Sequence, residues 1–248
     1  MMIGPIRQKT AAHRLARDGI AVAGIKTEHA SAHHNWSRHR QAAASAMSTR
    51  TTSGTAIGLG IAFLCILSLL HVWEPDYNPP HLISDYQLGH FGWLMSLAFF
   101  CLGGALIALF AAARQHSPTQ SGRFWTWGLL VISAAYFVAG IFPPDRQKFL
   151  VGLLHGIGGL VVIFGSPIVF TFVSRGFAAN EASKTVPRPL VWTAALTWLS
   201  LSLFYGSIVA SRASGSGNIA VGWTNRFMIA TFVLWLLVAA VHVWSRSR

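Results

Sequence analysis

The residues of this chain whose types could do chemistry are His71, Ser84, Asp85, His90, Asp145, His155, Asn225 and Arg226. All lie at the same end of the apolar segments. Together they supply carboxylates, imidazoles, a hydroxyl, an amide and a guanidinium, enough for acid–base work, a metal site or a hydrogen-bonding ligand pocket. Ionisable groups within apolar segments are costly, and they tend to face a bundle interior or a wet cavity. His155 is the most informative. Gly152, His155, Gly156 and Gly159 fall at i, i+3, i+4 and i+7, so they share one helix face, where small residues let another helix approach closely. His155 then points at a neighbouring helix, either as a structural hydrogen bond or as a ligand-binding or proton-transfer group. Arg226 opens an apolar run just behind Gly222-Trp-Thr-Asn225. A terminal arginine can snorkel, but a cation at a helix amino terminus opposes the helix dipole. An anionic partner is therefore expected, with Asp85 and Asp145 the nearest.

An enzyme built on these residues would use His155 and Asp145 as acid/base or metal groups, as a membrane-embedded hydrolase would. Zinc needs three or four converging ligands. His71, Asp85, His90, Asp145 and His155 contain enough of them, yet no His-x-x-x-His pair occurs in the apolar runs. No cofactor is expected, with zinc the weak exception. Ser84 lacks a Gly-x-Ser-x-Gly setting, and no phosphate-cradling glycine loop or dinucleotide fingerprint occurs. A second polar stripe, Thr193, Thr197, Ser200, Ser207 and Ser211, recurs at helical spacing. Small hydroxyls of this kind usually bond to their own backbone or to an adjacent helix, which is favoured here over a polar pathway.

The elements that position these residues are membrane helices. The chain is 53% hydrophobic and 10% charged, against roughly 25% charged in soluble domains. Six apolar runs, about 54–73, 91–113, 124–142, 149–173, 190–210 and 227–244, approach the ~20 residues a helix needs to cross a bilayer. Lipid requires backbone groups to be satisfied within each segment, so the runs are helices. An all-α bundle of six spans puts both ends on one side. Fifteen of the nineteen lysines and arginines fall on that side and four on the other, so both termini are expected in the cytoplasm. His71–Trp93, with three of the seven acidic residues and no Lys or Arg, is then an outer loop. Trp73, Trp93, Trp125, Trp192, Trp223 and Trp244 sit near span ends, as an aromatic belt would.

Residues 1–50 are basic and lack a spanning run. They read as a disordered cytoplasmic arm, or as sequence upstream of a true start at Met47, ahead of a membrane domain at 51–248. The net charge of +12 lies in this arm and in the connections. It is a topology signal, and no nucleic-acid partner is expected. Cys65 and Cys101 lie inside apolar runs and read as packing residues with no disulfide.

Ile83-Ser-Asp-Tyr-Gln-Leu-Gly89 with Gly92-Trp-Leu-Met95, Gly140-Ile-Phe-Pro-Pro-Asp145 with His155, and Gly222-Trp-Thr-Asn-Arg226 resemble the prokaryotic membrane proteins called domain of unknown function 998. The resemblance covers about residues 54–245 and implies a short multi-pass protein of a bacterial plasma membrane, beginning near Met47. It supplies no reaction. Seven-helix membrane hydrolases are a more distant comparison, and their paired-histidine helix is lacking here. The expected function is sensing, transport or binding of a lipid or small ligand in an outward-facing polar pocket. The alternative is the hydrolase using His155 and Asp145.

Overall fold

The computed structural model describes residues 47–116, 120–145, 147–178, 187–214 and 219–247, so the expected arm lies outside the described residues apart from 47–50. Among the described residues, six helices are long and apolar enough to span a membrane: α1 (Met47–Trp73), α2 (Gly92–His116), α3 (Gln120–Ile141), α4 (Phe149–Ala178), α5 (Arg188–Ser214) and α6 (Ile219–Arg246). There is no strand among the described residues.

Several helices begin ahead of their apolar runs, for a local reason. The polar segment before Gly54 is already α-helical, with the Thr51 and Thr55 hydroxyls donating to the Met47 and Thr51 carbonyls at 3.0 Å each. Helix α6 starts at Ile219, ahead of the expected Phe227. Its polar residues Thr224, Asn225 and Arg226 therefore lie about two turns inside the helix. Arg226 is consequently remote from the amino terminus, and the dipole penalty expected for it does not arise.

The helices are joined by close backbone approach, aromatic stacking and single hydroxyl bonds, which replace hydrophobic driving force where lipid is as apolar as leucine. Between α2 and α3, Ser133 donates to the Gly103 carbonyl at 2.8 Å. Between α3 and α4, Trp125 stacks on Phe172 with ring centres 3.9 Å apart. Gly158 lets the α3 backbone approach, since a Cβ there would meet the Ala135 carbonyl oxygen at 3.0 Å. Trp235 of α6 stacks on Phe170 of α4 at 3.9 Å, and its indole N–H donates to Ser174.

The hydroxyl stripe of α5 behaves as the bland reading expects. Thr193 and Thr197 bond back to their own helix, while Ser200 and Ser207 pair with Thr231 and Thr224 of α6 at 2.8 Å. Helix α1 is the most peripheral, 22% of its spanning window being buried, and α6 the most central at 56%. Gly60 and Leu59 of α1 touch α6 and α2 respectively. Cys65 and Cys101 are both free thiols.

Candidate functional site

The segment joining α1 to α2 folds into a cap over one end of the bundle, built from short 3-10 helices at Pro75–Tyr77 and Ile83–Leu88. A cap with so little regular structure must satisfy its backbone with side chains. Glu74 accepts the Phe91 N–H at 2.6 Å, and Gly89 gives its carboxylate room, since a Cβ there would lie 2.7 Å away. Asp85 accepts the Leu82 N–H at 2.9 Å and stands 3.6 Å from His81. Gln87 reaches across to Ser96 and to the Ala139 and Gly140 carbonyls.

Arg226 is the rivet. Its guanidinium donates to the carbonyls of His81 (2.8 Å), Tyr77 (3.0 Å) and Gly222 (3.0 Å) and to the Tyr86 hydroxyl (3.1 Å), with its charge over the Tyr86 ring. The Tyr86 proton goes to Asn78 Oδ1 at 2.6 Å. Tyr86 oxygen therefore accepts from both Arg226 and His71 Nδ1, the latter at 3.1 Å. The anionic partner expected for Arg226 is thus replaced by carbonyls and a phenol. No carboxylate pairs with it among the described residues.

Beside this rivet, between the cap, Pro144 and Asp145 after α3, and helices α4 and α6, runs an open cleft of about 670 Å³. Ser84, Asp85, Asp145, His155 and Asn225 line it together with Gly152, Gly156, Gly159, Leu160 and Ile163. Its inner end continues into a well of about 70 Å³ that adds Phe99, Tyr136, Ala139, Val162 and Ile229.

On the glycine face of α4, His155 lies against Phe99 of α2, ring centres 6.4 Å apart, but its glycines do not meet another helix. A Cβ at Gly156 or Gly159 would find nothing within 4 Å, and Gly152 instead seats the Asp145 carbonyl. Close packing on α3 falls to Gly158 and Gly165, on a different face.

Four polar groups end in the well with bonding capacity left over. His155, 8% exposed, places Nδ1 2.7 Å from the Phe142 carbonyl. A carbonyl only accepts, so Nδ1 carries the proton and the Nε2 lone pair of the neutral ring is left facing the cleft. Asn225, 7% exposed, uses Oδ1 to accept the Ile83 N–H at 3.0 Å, which leaves its NH₂ group free of any described partner. The Tyr136 hydroxyl, on a residue 4% exposed, and the Ser84 hydroxyl likewise bond to no described residue. No lysine or arginine lines the cleft or the well among the described residues.

Of the residues expected at the site, Ser84, Asp85, Asp145, His155 and Asn225 therefore share one cleft. His71 and Arg226 belong to the cap network, and His71 also packs against Trp223. His90 is exposed and rests edge-on against Phe91. Asp145 does not bond to His155. Its carboxylate accepts the Gln147 and Lys148 N–H groups and stands 3.9 Å from the Lys148 ammonium. No three His, Cys, Asp or Glu side chains among the described residues are grouped to hold a metal ion. Tyr136 escaped the sequence reading; the signal was a phenol deep in an apolar span, away from the interfacial belt where tyrosine is ordinary.

No curated protein and no solved structure matches the chain. Residues 56–242 match the family described as protein of unknown function (DUF998), a stretch that takes in the cap, the cleft and most of every helix. The chain therefore belongs to the DUF998 family of proteins of unknown function.

Proposed function

We propose that the protein is a membrane-embedded receptor for a single amphiphilic lipid, which enters the cleft sideways from the bilayer. The observation that carries this reading is the unspent bonding capacity of His155, Asn225, Tyr136 and Ser84 in the well of a cleft whose α4 wall leaves Gly156 and Gly159 uncovered. A buried polar group costs free energy unless it is bonded. A ligand that brings partners to these groups gains those hydrogen bonds, and its chain replaces lipid along Gly156, Gly159, Leu160 and Ile163. Sensing and transport are both downstream uses of such binding.

The fixed tautomer of His155 also favours a second reading, the membrane hydrolase, because an oriented imidazole with a free Nε2 is what a general base requires. Asp145 does not orient it, so the Phe142 carbonyl would take that part.

The test is lipid capture by the purified full-length protein in phosphatidylcholine vesicles, using a monoacylglycerol with a diazirine-bearing chain. Labelling on α4 near Gly159 is expected, and loss of that label in Gly159→Trp, which fills the groove. Equal labelling of both proteins would overturn the reading. Release of free fatty acid from the same probe by wild type, lost in His155→Asn, would promote the hydrolase.

A further inference from the structure

The chemistry of the well specifies the lipid further, and the inference rests on the receptor reading above. We infer that the ligand's polar end is uncharged and carries a hydroxyl: a long-chain alcohol or a glyceride, not a phospholipid or a fatty-acid anion.

Three observations carry the argument. First, the well offers an acceptor at His155 Nε2, two donor hydrogens on Asn225 Nδ2, and two hydroxyls at Ser84 and Tyr136 that can do either. A hydroxyl fits this set, since it donates to the imidazole and accepts from the amide. A quaternary ammonium donates nothing, and an ether accepts only.

Second, no lysine or arginine among the described residues lines the cleft or the well. Half-buried Arg226 directs its two terminal guanidinium nitrogens to three carbonyls and a phenol in the cap, and the exposed Lys148 ammonium stands beside Asp145, outside the lining of the well. Burying a phosphate or carboxylate ion without a counter-charge in a well walled by Phe99, Val162, Ile163 and Ile229 carries a penalty that neutral hydrogen bonds do not repay.

Third, the well is small. Its volume is about 70 Å³, and a single water needs roughly 10–15 Å³. That admits a hydroxymethyl or glyceryl group and leaves the apolar chain for the wider cleft outside.

The experiment compares three probes sharing one diazirine-bearing palmityl chain: the free alcohol, its monoacylglycerol analogue, and the phosphate monoester of the alcohol. Each is offered to the full-length protein in phosphatidylcholine vesicles, and label on the α4 peptide is quantified. The alcohol or the glyceride is expected to exceed the phosphate by about a hundredfold, the discrimination that an unpaired buried charge imposes. Which of the two neutral probes labels more strongly separates the simple alcohol from the glyceride. Tyr136→Phe and His155→Asn each remove one bond to the headgroup and should lower neutral capture about fivefold. Asparagine keeps a donor toward the Phe142 carbonyl while deleting Nε2, so the fold is spared. Should either variant fail to fold by thermal melting, the wild-type comparison of probes still decides. Equal or stronger capture of the phosphate would overturn the neutral-headgroup inference and leave the lipid receptor standing. Capture of no probe above the Gly159→Trp background would overturn both.

Discussion

Arg226 shows how a residue with an obvious charge can do its work through geometry. A planar guanidinium donates in several directions at once, and here it gathers the Tyr77 and His81 carbonyls of the cap, the Gly222 carbonyl of its own helix and the Tyr86 phenol. An ammonium cannot reach that set. Arg226→Lys should therefore cost about 2–4 kcal/mol, since hydrogen bonds to charged groups are worth roughly 1.5–3 kcal/mol each and some survive. Lys148→Ala, which removes only an exposed ion pair with Asp145, should change stability by less than about 1 kcal/mol. Thermal unfolding of both variants in the same detergent checks the contrast, and a similar loss for the two would show that charge, not the fork, matters. Gly92→Ala is expected to loosen the cap for a steric reason, because its Cβ would overlap the Gln87 carbonyl. Faster protease cleavage in the segment between α1 and α2 reports it.

At the scale of elements, helix α4 presents two glycine faces with opposite duties. Gly158 brings its backbone onto α3, where a methyl would press on the Ala135 carbonyl, while Gly156 and Gly159 border open space. Glycine inside a helix is about 1 kcal/mol worse than alanine. Gly156→Ala and Gly159→Ala should thus be neutral or stabilising by up to about 1 kcal/mol, whereas Gly158→Ala should destabilise despite its better helix propensity. Denaturation of the three variants in mixed micelles tests this, and destabilisation by Gly159→Ala would mean that the face packs against something. Retaining two glycines at a cost to helix propensity is consistent with a face kept open for a ligand.

At the scale of the whole molecule, cap and cleft lie at the end of the bundle that the lysine and arginine count predicts to face outward. In a variant without Cys65 and Cys101, single cysteines at His90 and at Lys148 should react with an impermeant maleimide on intact cells. Cysteines at Ser117 and Ser183 should react only after permeabilisation. Labelling of Ser183 from outside would invert the orientation, and would put the cleft mouth at the cytoplasmic leaflet. The receptor reading survives either result, because a sideways route from lipid exists in both leaflets.

How much of this was legible in the sequence follows from what each level of structure constrains. Six spans, their order and their helical state follow from the chain itself, because bilayer thickness sets their length and lipid forces each backbone to satisfy itself. Helical periodicity likewise tells that Gly152, His155, Gly156 and Gly159 share a face. What lies opposite that face is a tertiary matter: the same small residues suit a close helix or an open groove, and only the packing of α3 on Gly158 left Gly156 and Gly159 bare. Ser84, Asp85, Asp145 and Asn225 could be assigned to one end of the bundle, but not to the same cleft, since loop paths decide that. The partners of Arg226 are hidden for the same reason, because backbone carbonyls have no sequence signature. The tautomer of His155 and the approach of Tyr136 depend on where the Phe142 carbonyl and α3 come to rest. Local rules fix which groups a helix carries, and only the assembled bundle decides which of them are left without a partner.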